Sequence, residues 1–371
     1  MRPTVKLWEI CDILDKKRRP ITQKDRTKWI YPYYWASWIL DYVADYIFDE
    51  DLVLIWEDWA KRWALDNSAF KVSWKVWVNN HAHVIRPHRE KIIDDFLVYF
   101  LVSSDLSDYI TWTTVPKLNQ ERLKLIEIPL PPLETQKAIV ARLDQIFAEL
   151  DQTKSEIQKN LDNTDELWKS ALNQAFQGDW EMKTIEELTT SIEYWIWETW
   201  LDKWDLRYVR ITDIDEDCLL KDYDKKYIML NEKSKLSLLK KWDVLIARIW
   251  ATFGKCLYFD SDELSAFAWY LIRPNFKKEV NTKYFSLFAQ SWLYWNQANN
   301  LVSWWWQPQF NANAIKKIKF IVPPLSEQEK IVEHLDQVSK EVKTLKSQYQ
   351  SQLDNLEELK KSVLDKAFRW E

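Results

Sequence analysis

The stretch PPLSEQEKIVEHLDQVSKEVKTLKSQYQSQLDNLEELKKSVLDKAFRWE, residues 323–371, decides the fold of this chain. Apolar side chains recur along it at alternating steps of three and four residues, the spacing of a helix that packs lengthwise against another helix. The helix would be about 60 Å long, so it needs a partner along its length. The predicted seam consists of Ile331, Leu335, Val338, Val342, Leu345, Tyr349, Leu356, Leu359 and Val363, with Gln352 as a polar interruption.

An internal repeat supplies that partner. Residues 131–178 align with residues 323–370 at a constant offset of 192 without a gap, and residues 111–119 align with 303–311 at the same offset. A repeat of such long period fixes the architecture as unit, helix, unit, helix. Matched positions include Pro131 with Pro323, Gln136 with Gln328, Leu143 with Leu335, and Ala175-Phe176 with Ala367-Phe368.

We therefore predict an α+β protein with two mixed α/β domains separated by two long antiparallel coiled-coil helices and an internal pseudo-twofold repeat. The predicted segments are a first domain (1–128), a central helix (129–178), a second domain (179–320) and a C-terminal helix (321–371). Local patterns predict short helices at 91–102 and 281–290, and strands at 76–85, 206–211 and 244–250. In the central helix, the predicted packing residues are Ile139, Leu143, Ile146 and Leu150.

Charge and cysteine content limit the function classes. The 371 residues carry 52 basic and 57 acidic side chains, a net charge of −5, so the overall balance does not indicate nucleic acid. Three separated cysteines without CxxC spacing argue against a disulfide framework or a zinc ribbon, and favour a reducing cytoplasm. The longest apolar run, residues 96–102, is too short to span a membrane.

The ratio of glycine to tryptophan is anomalous. Average usage predicts about 26 glycines, whereas the chain has 2 glycines and 25 tryptophans. Gly178 falls opposite Trp370 in the repeat, and tryptophans stand at turn-like positions where glycine has no steric cost. We hypothesise that most of them are glycine in the living protein, through a UGA codon read as tryptophan. Examples are residues 35–38, 56–59, 241–243 and 304–306; Trp168 and Trp180 fit as true tryptophans.

Several blocks resemble the specificity subunit of type I restriction-modification systems over essentially the whole chain. They are the proline-prefixed helices IPLPPLETQKAIVARLDQI (128–146) and FIVPPLSEQEKIVEHLDQV (320–338), with YPYYWASWILDY (31–42), VWVNNHAHVI (76–85), KKWDVLIARIWATFGKC (240–256) and SWWWQPQFNANAIKKIKF (303–320). The blocks at 31–42 with 76–85, at 240–256 and at 303–320 become closely family-like when glycine replaces the suspect tryptophans. As written, they depart from the family pattern at its turn glycines.

The resemblance implies a non-catalytic DNA reader. Each of two target recognition domains would read one half of a bipartite double-stranded DNA site, and the paired helices would set the spacing. The helices and adjacent surfaces would dock two methyltransferase subunits, and the assembly would recruit restriction subunits. S-adenosylmethionine, ATP and Mg²⁺ would belong to those partners, with no cofactor on this chain.

Basic and amide side chains are the candidates for contact with DNA, because Lys and Arg bind phosphates and Asn can pair with adenine edges. Tyr33 could touch a base or sugar, although packing in a core is the alternative for it and its neighbours. The candidates are Lys16, Lys17, Arg18, Arg19, Tyr33, Asn79, Asn80, His81, Arg86, Lys240, Lys241, Arg248 and Lys255. For Gln307 and Asn311, we favour hydrogen bonds within their own turn.

Enzyme signals fail on inspection. The pair His81 and His83 lacks further ligands at a suitable spacing for zinc, and residues 250–256 are one residue short of a phosphate loop. No catalytic Ser, His and Asp set stands out. A coiled-coil adaptor for other proteins and a self-contained modification enzyme remain the alternative functions.

Overall fold

A computed structural model describes residues 4–36, 38–57, 68–112, 116–194, 202, 205–215, 217–249, 252–302 and 310–368. It divides into two compact units. The first unit is Met1–Gln158 together with Gln350–Glu371, and the second unit is Lys159–Tyr349. Each long helix therefore contributes one part to each unit, a grouping that differs from the four consecutive segments expected from the sequence.

The first unit contains two four-stranded sheets, ordered β2-β9-β6-β7 and β4-β3-β8-β5, and the strand pairs β1-β12 and β10-β11. Its strands are β1 Thr4–Lys6, β2 Cys11–Ile13, β3 Lys28–Trp35, β4 Trp38–Val43, β5 Phe48–Asp49, β6 Leu52–Trp56, β7 Ala69–Val72, β8 Lys75–Val78, β9 Ala82–Pro87, β10 Thr111–Trp112, β11 Pro116–Lys117 and β12 Glu127–Pro129. Its short helices are α1 Leu7–Ile10, α2 Asp94–Ser103 and α3 Gln120–Lys124.

The second unit repeats this plan with a four-stranded sheet ordered β14-β20-β17-β18, a three-stranded sheet β16-β15-β19 and the pair β13-β21. Its strands are β13 Met182–Thr184, β14 Thr189–Tyr194, β15 Leu206–Val209, β16 Tyr227–Ile228, β17 Asp243–Ala247, β18 Cys256–Phe259, β19 Ser265–Phe267, β20 Leu271–Phe276 and β21 Lys319–Ile321. Its short helices are α5 Ile185–Leu188, α6 Thr282–Phe288, α7 Trp292–Leu301 and α8 Ala312–Lys316.

The two predicted long helices are present as α4 Leu133–Ala175 and α9 Leu325–Phe368. Both follow a Pro-Pro pair, and the carbonyls of Pro132 and Pro324 accept the first helical hydrogen bonds, from Gln136 and Gln328. Proline suits this position because its missing N–H would have no partner inside the helix. The mixed fold class and the internal repeat predicted from the sequence are confirmed.

Within each unit the two long helices run antiparallel. In the first unit, Lys154 pairs with Glu357 at 2.6 Å, while Phe147, earlier in α4, lies under the ammonium group of Lys360, later in α9. In the second unit, Lys346 pairs with Asp165, and Trp168 lines one cavity with Val342. Residues later in α4 therefore contact residues earlier in α9, as expected for antiparallel helices.

A buried glutamine fixes the start of each long helix to its domain. The Gln136 amide accepts a hydrogen bond from the Ile93 backbone at 2.9 Å and donates to the carbonyls of Lys91 and Pro131 at 2.9 and 2.8 Å. Both glutamine side chains belong to fully buried residues, so these bonds satisfy groups that would otherwise be costly to bury.

Gln328 repeats the arrangement in the second unit. Its amide accepts from the Asn281 backbone at 2.8 Å and donates to the carbonyls of Glu279 and Pro323 at 2.9 and 2.8 Å. Because the partners precede α2 in one unit and α6 in the other, equivalent bonds orient equivalent elements.

A phenylalanine fixes the other end of each long helix to a domain. Phe368, in the last turn of α9, contacts Phe96 and Phe100 of α2, with ring centroids 5.3 and 5.6 Å apart. Phe176, which follows α4, contacts Tyr284 and Phe288 of α6 at 5.2 and 5.5 Å. Each domain is therefore held by the beginning of one long helix and the end of the other.

Some packing predictions need correction. Leu359 is 48% exposed, and Leu364 is buried instead, so the seam changes phase near the end of α9. Ile331 and Leu335 belong to the apolar core of the second unit, because the first turns of α9 lie on that domain. The predicted packing residues in the first halves of the two long helices are buried or half-buried in the structure: Ile139, Leu143, Ile146, Leu150, Ile331, Leu335, Val338, Val342 and Leu345.

The local elements agree with the sequence apart from one strand. The predicted helices at 91–102 and 281–290 correspond to α2 and α6, and the predicted buried strand at 244–250 corresponds to β17. The strand predicted at 76–85 is instead two strands, β8 and β9, because Asn79 forms a turn by accepting a hydrogen bond from the His81 backbone at 2.8 Å.

Two tryptophans adopt a backbone conformation that favours glycine. Trp74 has φ 69° and Trp242 has φ 75°, and the side chains of both are largely exposed. Bulky residues pay a steric penalty in this region, typically about 1–3 kcal/mol. These two positions support the glycine hypothesis, whereas Trp59, Trp304–Trp306 and Trp370 lie outside the described residues.

Trp74→Gly and Trp242→Gly should each raise the free energy of unfolding by about 1 kcal/mol, because glycine relieves the left-handed strain. Urea denaturation of the full chain measures this. Trp180→Gly is the matched control, since Trp180 is also exposed but has no positive φ. A loss of stability at residues 74 and 242 equal to that of the control would contradict the interpretation.

Candidate nucleic-acid interface

The basic cluster at residues 16–19 separates into exposed and internal side chains. Lys16, Lys17 and Arg19 are exposed in and after the 3-10 turn Asp15–Lys17. The Arg18 side chain is only 12% exposed and donates to Glu57 at 2.6 Å and to the Ala82 carbonyl at 2.7 Å. The Arg18 side chain is thus engaged in contacts within the protein. Lys16, Lys17 and Arg19 stay predicted phosphate contacts.

A closed polar cluster surrounds Arg18. Asp15 lies 2.6 Å from the Nδ1 atom of His83 and 3.4 Å from the Arg18 guanidinium, and it accepts from the Val84 backbone at 2.9 Å. The Nε2 atom of His83 lies against the Leu118 carbonyl. This pairing uses both nitrogens of His83, and among the described residues no group of three or more His, Cys, Asp or Glu side chains could hold a metal ion.

The charges of the cluster set the ionisation of Asp15. Burial acts to raise its pKa, but the His83 hydrogen bond, the His83 charge, the Val84 N–H and the Arg18 charge together lower it. A lowered folded pKa contributes stability above the unfolded pKa of about 4. That contribution is lost as the pH falls through the folded value.

Two further candidates of the first unit prove to be internal. Tyr33 is 1% exposed, and its hydroxyl accepts a hydrogen bond from the Ile21 backbone at 3.1 Å. Asn79 is 3% exposed and forms the turn described above. Neither side chain is available at the surface, which corrects their assignment as DNA contacts; Tyr34 likewise packs on Phe70.

The remaining candidates of the first unit lie at the surface in different settings. Asn80 is exposed in the β8–β9 turn, and the ring of His81 lies 5.0 Å from that of Trp35. Arg86 makes a two-bonded pair with Glu50 at 2.6 and 2.7 Å, which lowers the pKa of that carboxyl. Its charge is therefore largely neutralised by the protein.

In the second unit the candidates also differ in their partners. Lys241 pairs with Asp262 at 3.1 Å, and the Lys255 ammonium lies 3.5 Å from the Asp215 carbonyl. Lys240 is exposed, and the Arg248 guanidinium lies over the Tyr194 ring at 5.6 Å. Asn311 accepts a hydrogen bond from the Ala314 backbone, which confirms its turn role, while Gln307 lies outside the described residues.

The structure shows a surface that sequence reasoning missed. Large apolar side chains on β3 and β4 point to solvent, and such groups contact thymine methyls or insert between base steps in protein–DNA complexes. The sequence did not show where β3 passes from exposed to buried: its first three residues, 28–30, are exposed, whereas Tyr33 is buried. The exposed residues are Trp29, Ile30, Trp38, Ile39, Leu40 and Tyr42.

The chain has the two-copy plan of a known family. The profile of the family described as type I restriction modification DNA specificity domain matches residues 3–165 and 177–355. The chain belongs to this family. Its two matched stretches coincide with the two repeats seen in sequence and structure.

A relative described as a specificity subunit matches most of the chain. A putative type I restriction enzyme specificity subunit from Haemophilus influenzae is 28% identical over 357 residues, which cover 89% of this chain and 86% of that protein. A specificity subunit of this class is non-catalytic, so the prediction that the chain is not an enzyme is confirmed by family.

Solved structures show the same fold. A chain from a type I restriction-modification system matches all of this chain and 99% of its own length, with a TM-score of 0.75 and 19% identity. The HsdS subunit from Thermoanaerobacter tengcongensis matches 99% of this chain and 96% of its own, with a TM-score of 0.60 and 19% identity.

No described helix of the specificity subunit is long and apolar enough to cross a bilayer.

Arg18→Ala should destabilise the specificity subunit by about 3–5 kcal/mol, because it leaves the buried carboxylate of Asp15 short of a positive partner. Lys16→Ala, two residues away and exposed, should change the free energy of unfolding by less than about 0.5 kcal/mol. Urea denaturation of both variants measures the difference. Equal, small effects would show that the cluster around Arg18 is not a structural element.

Proposed function

We propose that this chain is the DNA-reading subunit of a type I restriction-modification complex, in which each unit reads one half of a bipartite double-stranded site. The observation that carries the proposal is the repeated framework. Equivalent glutamines and phenylalanines hold two domains whose surface residues differ, an arrangement suited to one task performed on two sequences.

The differences between the domains lie where contacts with DNA would be made. The framework positions Gln136 and Gln328 are identical, whereas the exposed candidates of the first unit, Lys16 and Lys17, have no counterpart among those of the second unit. Phosphate contacts would position each domain, and contacts with base edges would specify the half-site.

The long helices would set the gap between half-sites and dock the partners. They have 43 and 44 residues, so each is about 65 Å long at the usual rise. This length exceeds one turn of duplex DNA, about 34–36 Å. Two methyltransferase subunits and the restriction subunits would assemble with this chain in the cytoplasm, and S-adenosylmethionine, ATP and Mg²⁺ would bind to those partners.

A methylation map tests the proposal. The chain, with glycine at the suspect tryptophans, is expressed with its cognate methyltransferase subunit in a host, and modified bases are located by sequencing. We expect one bipartite motif with a fixed gap, since two rigid readers select two separate sequences. Replacing residues 1–128 by those of a relative should change only one half of the motif.

The outcomes separate the alternatives. No new methylation from a well-folded complex that also binds DNA without salt dependence would overturn the proposal and favour the protein adaptor. Methylation by this chain alone, without the partner subunit, would favour a self-contained enzyme.

A further inference from the structure

We propose that Arg248 reads a guanine in the half-site bound by the second unit. The inference rests on the proposed function and assigns a specificity-determining contact within it. It follows from a comparison of equivalent positions in the two units. In the first unit, the charged side chains at these positions pair with one another, whereas in the described part of the second unit Arg248 has no carboxylate partner.

Backbone hydrogen bonds establish that Arg248 is the counterpart of Glu57. The Glu57 N–H donates to the His81 carbonyl at 3.1 Å, and its carbonyl accepts from Leu118 at 3.0 Å. The Arg248 N–H donates to the Tyr270 carbonyl at 3.0 Å, and its carbonyl accepts from Phe310 at 2.7 Å. Leu118 and Phe310 are themselves related by the repeat offset of 192.

Strand register makes Tyr194 the counterpart of Asp15. Ile13 pairs with Ile85, which places Asp15 opposite His83 at the end of β2. Tyr194 pairs with Ile272, one residue after the start of β20, as His83 is one residue after the start of β9. The next sheet neighbours agree, because Trp56 pairs with Ala82 and Ala247 pairs with Leu271.

Contacts from the region before each long helix agree with this equivalence. The Gln120 side chain donates to Asp15 at 3.2 Å, and the Ala312 backbone donates to the Tyr194 hydroxyl at 2.7 Å. Residues 120 and 312 are again related by the offset of 192. Tyr194 is thus held in place by its hydroxyl and presents its ring to Arg248.

In the first unit, the charged side chains at the end of β2 pair with one another. We call this site, and its equivalent in the second unit, the corner. Arg18 lies between Asp15 and Glu57, and His83 lies against Asp15. The arginine donors and carboxylate acceptors at this corner bind each other, so they are occupied without a ligand. Among the residues that the structure describes, the first unit therefore offers no free guanidinium there.

Among the described residues, no carboxylate lies beside the positive charge of Arg248 at the same corner of the second unit. Arg207, Arg210 and Arg273 each form an ion pair at 3.0 Å or less. In the described part of this unit, the Arg248 guanidinium has no carboxylate within 4 Å and makes no hydrogen bond; it lies over the rings of Tyr194 and Trp269 at 5.6 and 5.9 Å. The Tyr194 contact does not depend on whether residue 269 is tryptophan or glycine.

A guanine is the partner that fits this group best. A guanidinium presents donors in a planar fork, and two of them match the O6 and N7 acceptors of guanine in the major groove. The aromatic ring restricts the orientation of the fork, so less freedom is lost when it binds. An arginine presents these donors from one fixed plane, whereas a lysine ammonium is a flexible point charge that suits a phosphate as well as a base.

Duplexes with single 7-deazaguanine substitutions test the assignment. The wild-type complex with its methyltransferase subunit is first mapped for its methylated motif, and each guanine of the second half-site is then replaced in turn. The deaza base lacks the N7 acceptor, so we expect one position at which wild-type affinity falls on the order of tenfold. Arg248→Gln should be insensitive to that substitution and should tolerate other bases there in the methylation map.

The controls keep the outcomes distinct. Lys235→Gln removes an exposed charge from the same unit, where Lys235 pairs with Glu232, and should keep the wild-type motif. Absence of any motif for the wild-type complex would overturn the proposed function and this inference with it. An Arg248→Gln variant that keeps the full motif and the 7-deazaguanine sensitivity would overturn this inference alone, because it would show that another group contacts that guanine.

Discussion

The buried side-chain amides of Gln136 and Gln328 are the interaction on which the rest of the structure depends. Each amide makes three hydrogen bonds that join the first turn of a long helix to the segment before a domain helix. Loss of one such buried partner costs about 1–3 kcal/mol, because the remaining groups are left unsatisfied. The direction in which each long helix leaves its domain is therefore fixed by a few specific bonds.

In each unit, the C-terminal end of the other long helix also packs on the domain. Phe368 packs on α2 of the first unit, and Phe176 packs on α6 of the second unit. A domain held at both places is a stable support for side chains that must meet DNA in a defined geometry. The surface corners can then differ: Glu57 pairs with Arg18 in one unit, whereas Arg248 in the other has no carboxylate partner within the described part of the chain.

The sequence predicted what is periodic or repeated. The spacing of Leu335 and Val342, and the offset that relates Gln136 to Gln328, were sufficient for the helices and the two-copy plan. The crosswise contacts of Phe176 and Phe368 could not be predicted, because the repeat aligns these residues but does not say which domain each one touches. Arg18 was placed on the surface and Tyr33 was left open between surface and core for a similar reason, since burial depends on partners distant in sequence, such as Glu57 and Ile21.

Hydrogen–deuterium exchange of Phe368→Ala in the full chain tests the crosswise closure most directly. Phe368 touches α2, although more than 260 positions of the sequence separate them. The account predicts faster amide exchange in Asp94–Ser103 and unchanged exchange in Thr282–Phe288, with the reverse pattern for Phe176→Ala. Faster exchange of α6 in the Phe368 variant, or no change in α2, would contradict the account.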